Sequence, residues 1–186
     1  MNGITRVVLS VTLALGSLAM APVAAQAATS CGQAPDGLKT YWRVTNVSKT
    51  TQSTGVASDW VWPQHGPANI TGSVSDTAEV NASFSVSVGA EAGVIFAKAS
   101  VEAGVTVGGS WSSTKSWSYA FDVPKDAVYE YRVIQLHSTR TFLATQYRWQ
   151  YTASAGKCTY SVYKKSTVEA PVTSSSNVWT TQKRKH

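Results

Sequence analysis

From Thr77 to Pro124 the chain alternates apolar and polar side chains with little interruption. Ala78, Val80, Ala82, Phe84, Val86 and Val88 take every second position, with Thr77, Glu79, Asn81, Ser83, Ser85 and Ser87 between them. A strand turns successive side chains to opposite faces, so this segment predicts a strand with one apolar and one hydroxyl-rich surface. After G-A-E-A-G the alternation resumes, with Ile95, Ala97, Ala99, Val101, Ala103, Val105 and Val107 on one parity. It continues through Trp111, Trp117, Tyr119, Phe121 and Val123 to Pro124. A helix over Ala90 to Ala103 is the competing reading, because alanine is plentiful. Gly93 and Gly104 weaken it, and no clean i, i+3, i+4 apolar stripe emerges, so strands are expected on both sides of a glycine-bounded reversal.

The rest of the chain predicts further strands. Lys39 to Val47, Tyr129 to His137, Arg140 to Tyr151 and Lys157 to Lys164 are rich in β-branched and aromatic residues, the last two framing a turn at A-S-A-G. Ser48 to Ser58 is polar and is expected to be a loop. In D-W-V-W-P-Q-H-G-P, Pro63 and Pro67 exclude a central strand. Trp60 and Trp62 in that segment are candidate surface-binding aromatics for a sugar or a lipid interface, or else rings that cap the end of a sheet core. The pattern predicts an all-β fold: an elongated antiparallel sheet with a long Ser/Thr-rich amphipathic hairpin.

Composition and charge change this picture mainly at the ends. Arg6, the apolar run Val7 to Met20 and Ala25-Gln26-Ala27 have the form of a secretory signal, giving a segment 1–27 and a mature start at Ala28. Residues 28–165 are expected to form one domain, and 166–186 a flexible basic tail in which Trp179 is the exception, a ring suited to docking on the body or on a partner. The formal charge is +6, and removal of Arg6 lowers it by one. Lys183, Arg184 and Lys185 supply three of the remaining charges, so the body is only mildly basic and nucleic acid is an unlikely partner. The two cysteines, Cys31 and Cys158, predict one disulfide in a secreted chain. Closing so long a loop is worth about 4–5 kcal/mol in the chain-entropy picture.

Catalytic constellations are sparse. The three histidines are far apart in sequence, the carboxylates are scattered, and no G-x-S-x-G, H-E-x-x-H, C-x-x-C or glycine-rich phosphate loop occurs. A non-enzymatic protein without cofactor or metal is expected.

The residues V-S-V-G-A-E-A-G-V-I-F-A-K-A-S-V-E-A-G-V-T-V-G-G-S-W-S-S-T-K-S-W-S-Y-A-F-D-V-P resemble the membrane-insertion module of aerolysin-like β-pore-forming proteins, in the epsilon-toxin/mosquitocidal-toxin branch. The likeness covers about a quarter of the chain. It implies a soluble protomer that assembles as a homo-oligomer, each copy giving a hairpin to a transmembrane barrel. The hairpin's lipid-facing residues would be Val80, Phe84, Val86, Val88, Val94, Ile95, Phe96, Val101, Val105 and Val107. The implied partner is a membrane lipid or a cell-surface receptor. The alternative is a secreted adaptor that shares the fold, forms no pore and binds another subunit of an extracellular multi-protein particle.

Overall fold

The computed structural model describes residues 31–174 and 177–186; the expected signal segment lies outside them. The fold is all-β and antiparallel, organised around one very long strand. Seven strands occur among the described residues: β1 (Thr40–Ala57), β2 (Ala68–Asn81), β3 (Ser83–Phe84), β4 (Ser110–Val123), β5 (Tyr129–Thr152), β6 (Lys157–Pro171) and β7 (Asn177–Lys185). The two segments expected from Tyr129 and from Arg140 are one strand, β5, because nothing between them breaks pairing. Ser138 faces Thr51 and Thr139 faces both Thr50 and Pro171. A short helical turn at Ala153–Ala155, ended by Gly156 at φ 62°, reverses the chain into β6.

β5 has β1 along one edge and two successive partners along the other. β7 pairs Tyr129–His137, and β6 pairs Thr139–Thr152. β3 extends the sheet beyond β6, giving the order β1-β5-β6-β3. β1 is longer than its expected extent, because Ser48–Ala57 continues the strand instead of forming a loop. The hydroxyls that argued for a loop find cross-strand partners: Thr50 Oγ1 is 2.7 Å from Thr139 Oγ1 and 3.0 Å from Thr141 Oγ1. A register shift between Thr45 and Ser48 takes up one extra residue, and Asn46 there adopts φ 58°, which Asn tolerates better than most side chains.

The second sheet is a two-stranded ribbon of β2 and β4, paired without interruption from Ala68–Val123 to Asn81–Ser110. β5 carries the ribbon on one face and a helix on the other. Val133, Gln135, His137 and Thr139 are buried on one parity, and Phe142, Ala144 and Gln146 on the opposite one. The ribbon covers the first set, with Ile70 and Val123 packing on Val133. The helix α1 (Ala92–Ala103) covers the second, with Ile95 and Ala99 packed among Trp42, Val44, Phe142 and Ala144.

α1 overturns the expected second strand of the hairpin. Ile95 and Ala99 are four apart, a spacing that fits a strand face and a helix face equally well. Alanine content favours the helix, Gly93 lies in its first turn, and Gly104 at φ 66° ends it as a left-handed cap. The glycines that argued against a helix sit near its ends, where they cost little. Val101, placed on the apolar face by the strand reading, is 82% exposed.

The expected flexible tail is also corrected. Ser166 to Pro171 complete β6, and β7 forms the sheet's other flank. Trp179 lies opposite Gln135 and packs into both apolar clusters beneath the ribbon, 5.0 Å from the Tyr119 ring. The Cys31–Cys158 disulfide is formed, across a sequence separation of 127. It ties the arm before β1 to the start of β6.

Candidate functional site

The ribbon is the element with two unlike faces. Its outer face is a ladder of polar rungs: Ser75 Oγ lies 2.8 Å from Ser116 Oγ, Thr77 Oγ1 lies 3.0 Å from Thr114 Oγ1, and Asn69 Nδ2 donates to Asp122 at 2.5 Å. Its inner face buries Ile70, Ala78, Val80, Trp111 and Val123. Gly72 on that face lets Tyr119 lie close over the backbone; a Cβ at 72 would stand 2.6 Å from Tyr119 Oη. The directly opposed pair Asp76 and Lys115 breaks the apolar parity midway, and both side chains are exposed.

The seat beneath the ribbon is partly polar. His137 is fully buried, with Nε2 donating to the Val172 carbonyl at 2.7 Å, Nδ1 2.6 Å from Asn177 Oδ1, and the Trp111 indole stacked at 3.9 Å. Thr54 Oγ1 donates to Gln135 Oε1 at 3.0 Å, but Gln135 Nε2 and Gln52 Oε1 are buried without a protein partner. An unpaired buried polar group costs about 1–3 kcal/mol. The ribbon is thus held by an apolar face on a seat that gives back part of the gain.

Between its strands the ribbon opens into an insert, Ala82 to Gly109, where a tight reversal was expected. Ala82 N still donates to Gly109 O at 2.8 Å, one step beyond the last ribbon pair. The chain then leaves the ribbon and clips onto the edge of β6. Ser83 faces Glu169, Phe84 faces Val168, and Ser85 N donates to Thr167 O at 2.9 Å. After α1 it returns through Val107, bridged to Val172, with Gly108 N donating to Pro171 O at 3.0 Å.

The ten expected hairpin residues do not share a face. Val80 is under the ribbon. Val88, Ile95 and Val107 are buried beneath α1, with Phe84, Phe96 and Val105 packed partly against them. Val86, Val94 and Val101 are exposed.

Trp60 and Trp62 stand at the far end, against β7. The Arg132 and Arg184 guanidinium groups lie over the Trp60 ring at 4.6 and 4.3 Å, and His186 stacks on Trp62 at 3.8 Å. Glu130 joins the cluster through Arg184 Nε and His186 Nδ1, each at 2.7 Å. Hydrogen bonds from Arg184 first and His186 second hold its carboxyl below the ordinary glutamate value. Only the basic run at 183–186 and the aromatic pair hinted at this cluster, and nothing in the sequence joined them.

Among the described residues no three His, Cys, Asp or Glu side chains gather as a metal site, and no helix is long and apolar enough to cross a membrane; strands are a separate route. No family model matches the chain, and neither a curated protein nor a solved structure matches it.

Proposed function

We propose that the protein is a secreted, non-enzymatic pore-former in which the ribbon lengthens into a membrane-spanning hairpin and assembles with other copies. The observation that carries this reading is the register. Continuing the ladder past Ala82 and Gly109 sets Phe84 opposite Val107, Val86 opposite Val105, and Val88 opposite Ala103. Every added pair on the inner parity is apolar. The other parity pairs Ser83 with Gly108, Ser85 with Thr106 and Ser87 with Gly104, which continues the hydroxyl face. A spanning barrel strand needs roughly 9–11 residues with an apolar outer and a polar inner face. The segments 78–88 and 103–113 meet that length, and the charged pair Asp76 and Lys115 falls just outside it, where a membrane boundary would lie.

In this reading β3 and α1 are the stored form of the hairpin. Their apolar side chains exchange a protein core for lipid, so the transfer is not opposed by exposure to water. The test is a double substitution, S83C with E169C, joining two directly paired residues of β3 and β6. Oxidised, it should abolish dye release from liposomes and the formation of SDS-resistant oligomers, and mild reduction should restore both; the two single substitutions serve as controls. Lysis that persists with the bond formed would sink the reading.

One observation favours the adaptor alternative. A groove of about 790 Å³ runs between β1 and α1, lined by Trp42, Val44, Ala97 and Val101 among others, beside the outward valines of the helix. A non-lytic protein that co-purifies with a second secreted chain and loses it on V101D substitution would support that reading over the pore.

A further inference from the structure

The last third of β5 carries an aromatic cluster on the face turned away from α1. Tyr147 and Trp149 share the parity of His137, and neither the helix nor the ribbon covers them. Direct pairing puts Tyr41 and Val162 beside Tyr147, Tyr160 beside Trp149, and Cys158 beside Tyr151. Tyr41 stacks on Tyr147 at 5.1 Å, and Tyr160 meets Tyr41 edge-on at 5.0 Å and Trp149 at 5.2 Å. Tyr151 and Val162, 37% and 47% exposed, bring the patch to the surface, with Leu38 of the N-terminal arm, 51% exposed, beside it.

Charge is uneven here. Lys39 and Arg43 flank Tyr41 at alternate positions, while Arg148 and Lys157, at the same end of the sheet, take the opposite parity. Among the described residues neither Lys39 nor Arg43 is in an ion pair. The nearby carboxylate, Asp36, is engaged by the Tyr160 hydroxyl and the Leu38 amide, and the same contact, after burial, helps to push Tyr160 up to about 12.

We infer that this patch is a docking surface for anionic phospholipid: the ring edges and Val162 enter the headgroup–acyl boundary while Lys39 and Arg43 meet phosphate. Tyrosine favours that boundary because one end is apolar and the other polar, and cations nearby add attraction for an anionic leaflet; Trp149, whose indole N–H is buried, supports Tyr160 from behind. Sugar recognition fits less well, because Tyr41 and Tyr147 turn flat faces to each other instead of offering them to a ligand. The inference rests on the proposed pore-forming role and gives it an orientation. Val123, at the ribbon's open end, packs on Val133, whereas Trp111, at its closed end, lies on His137, so the closed end is further along β5, nearer the patch.

The experiment is co-sedimentation with phosphatidylcholine vesicles, with and without phosphatidylglycerol, using both the parent protein and the oxidised S83C/E169C form. Both should bind the anionic vesicles and lose them in high salt, so docking survives where lysis is blocked. K39Q/R43Q should weaken that binding about thirty-fold, from about 1 kcal/mol per lost cation. Y151S/V162S, at two exposed positions, should weaken it several-fold at unchanged thermal stability. Equal binding to neutral and anionic vesicles, binding that ignores both variants, or capture by an anionic polysaccharide in place of vesicles would each overturn the inference. If the locked protein docks and the unlocked one never lyses, the docking surface stands and the pore reading falls.

Discussion

Two neighbouring stretches of the same alternating sequence end up in different structures. Ala68–Asn81 and Ser110–Val123 form a ribbon with one wet and one buried face, while Ala82–Gly109 between them folds as a short strand, a 3-10 turn at Gly89–Glu91 and a helix. Both stretches carry period-two patterning, so the pattern alone does not separate them. What separates them is the surface each finds. The ribbon crosses Val133, Gln135 and His137, a seat with unpaired polar atoms, and keeps its pairing. The insert meets the more apolar set Trp42, Val44, Phe142, Ala144, Val168 and Ala170, where the Trp42 indole N–H is the buried polar group without a partner, and there a helix can bury Ile95 and Ala99 with its backbone satisfied internally. Tertiary burial overrides the local period where a good apolar seat is available.

The comparison can be broken most severely at that seat. Phe142 is 1% exposed at the centre of the cluster beneath α1. Phe142→Ala should cost about 3–5 kcal/mol, read as a large drop in thermal midpoint, with hydrogen exchange rising in α1 more than in the ribbon. Uniform loss across both would mean that the insert and the ribbon are not separate units.

A gentler substitution sharpens the choice between helix and strand. Val101 sits on the exposed side of α1, where alanine is the better helix former. Val101→Ala should raise the stability of the insert by a few tenths of a kcal/mol, seen as slower exchange of α1 amides. A loss of stability would favour the extended form in solution.

The smallest effect belongs to the ribbon side. β7 brings Trp179 beneath the ribbon and is pinned at its other end by Glu130. Because the folded-state carboxyl lies below its ordinary value, its contribution is present above the usual glutamate range. It is lost as pH falls through the lowered value. Glu130→Gln should remove that acid dependence and fray the end of β7, with Trp62 emission shifting as His186 leaves. The insert should be unaffected.

Much of the sheet was legible from residue pattern: the start of β1, β4, both halves of β5, the turn at Ala153–Gly156 and the Cys31–Cys158 pair follow period, turn chemistry and cysteine count. The helix was not, because Ile95 and Ala99 fit either period and only the apolar seat, built from residues more than forty positions away, decides between them. Nor was β7: its Ser/Thr and basic composition looks like a solvated tail, and Trp179 was the lone sign that it docks. The hairpin was legible as chemistry but misplaced as geometry. Its paired core starts nine residues earlier than the alternation suggested, at Ala68, and the expected reversal is occupied by the insert.

The Cys31–Cys158 bond has a consequence for any protease that meets the molecule. Both termini of the insert lie inside the covalent loop that it closes. A cut anywhere between Ala82 and Gly109 would therefore free no fragment. The nicked protein would migrate as one intact species on a non-reducing gel and split in two only after reduction. Cleavage could then uncouple the helix from one ribbon strand while every piece of the chain stays on the same particle.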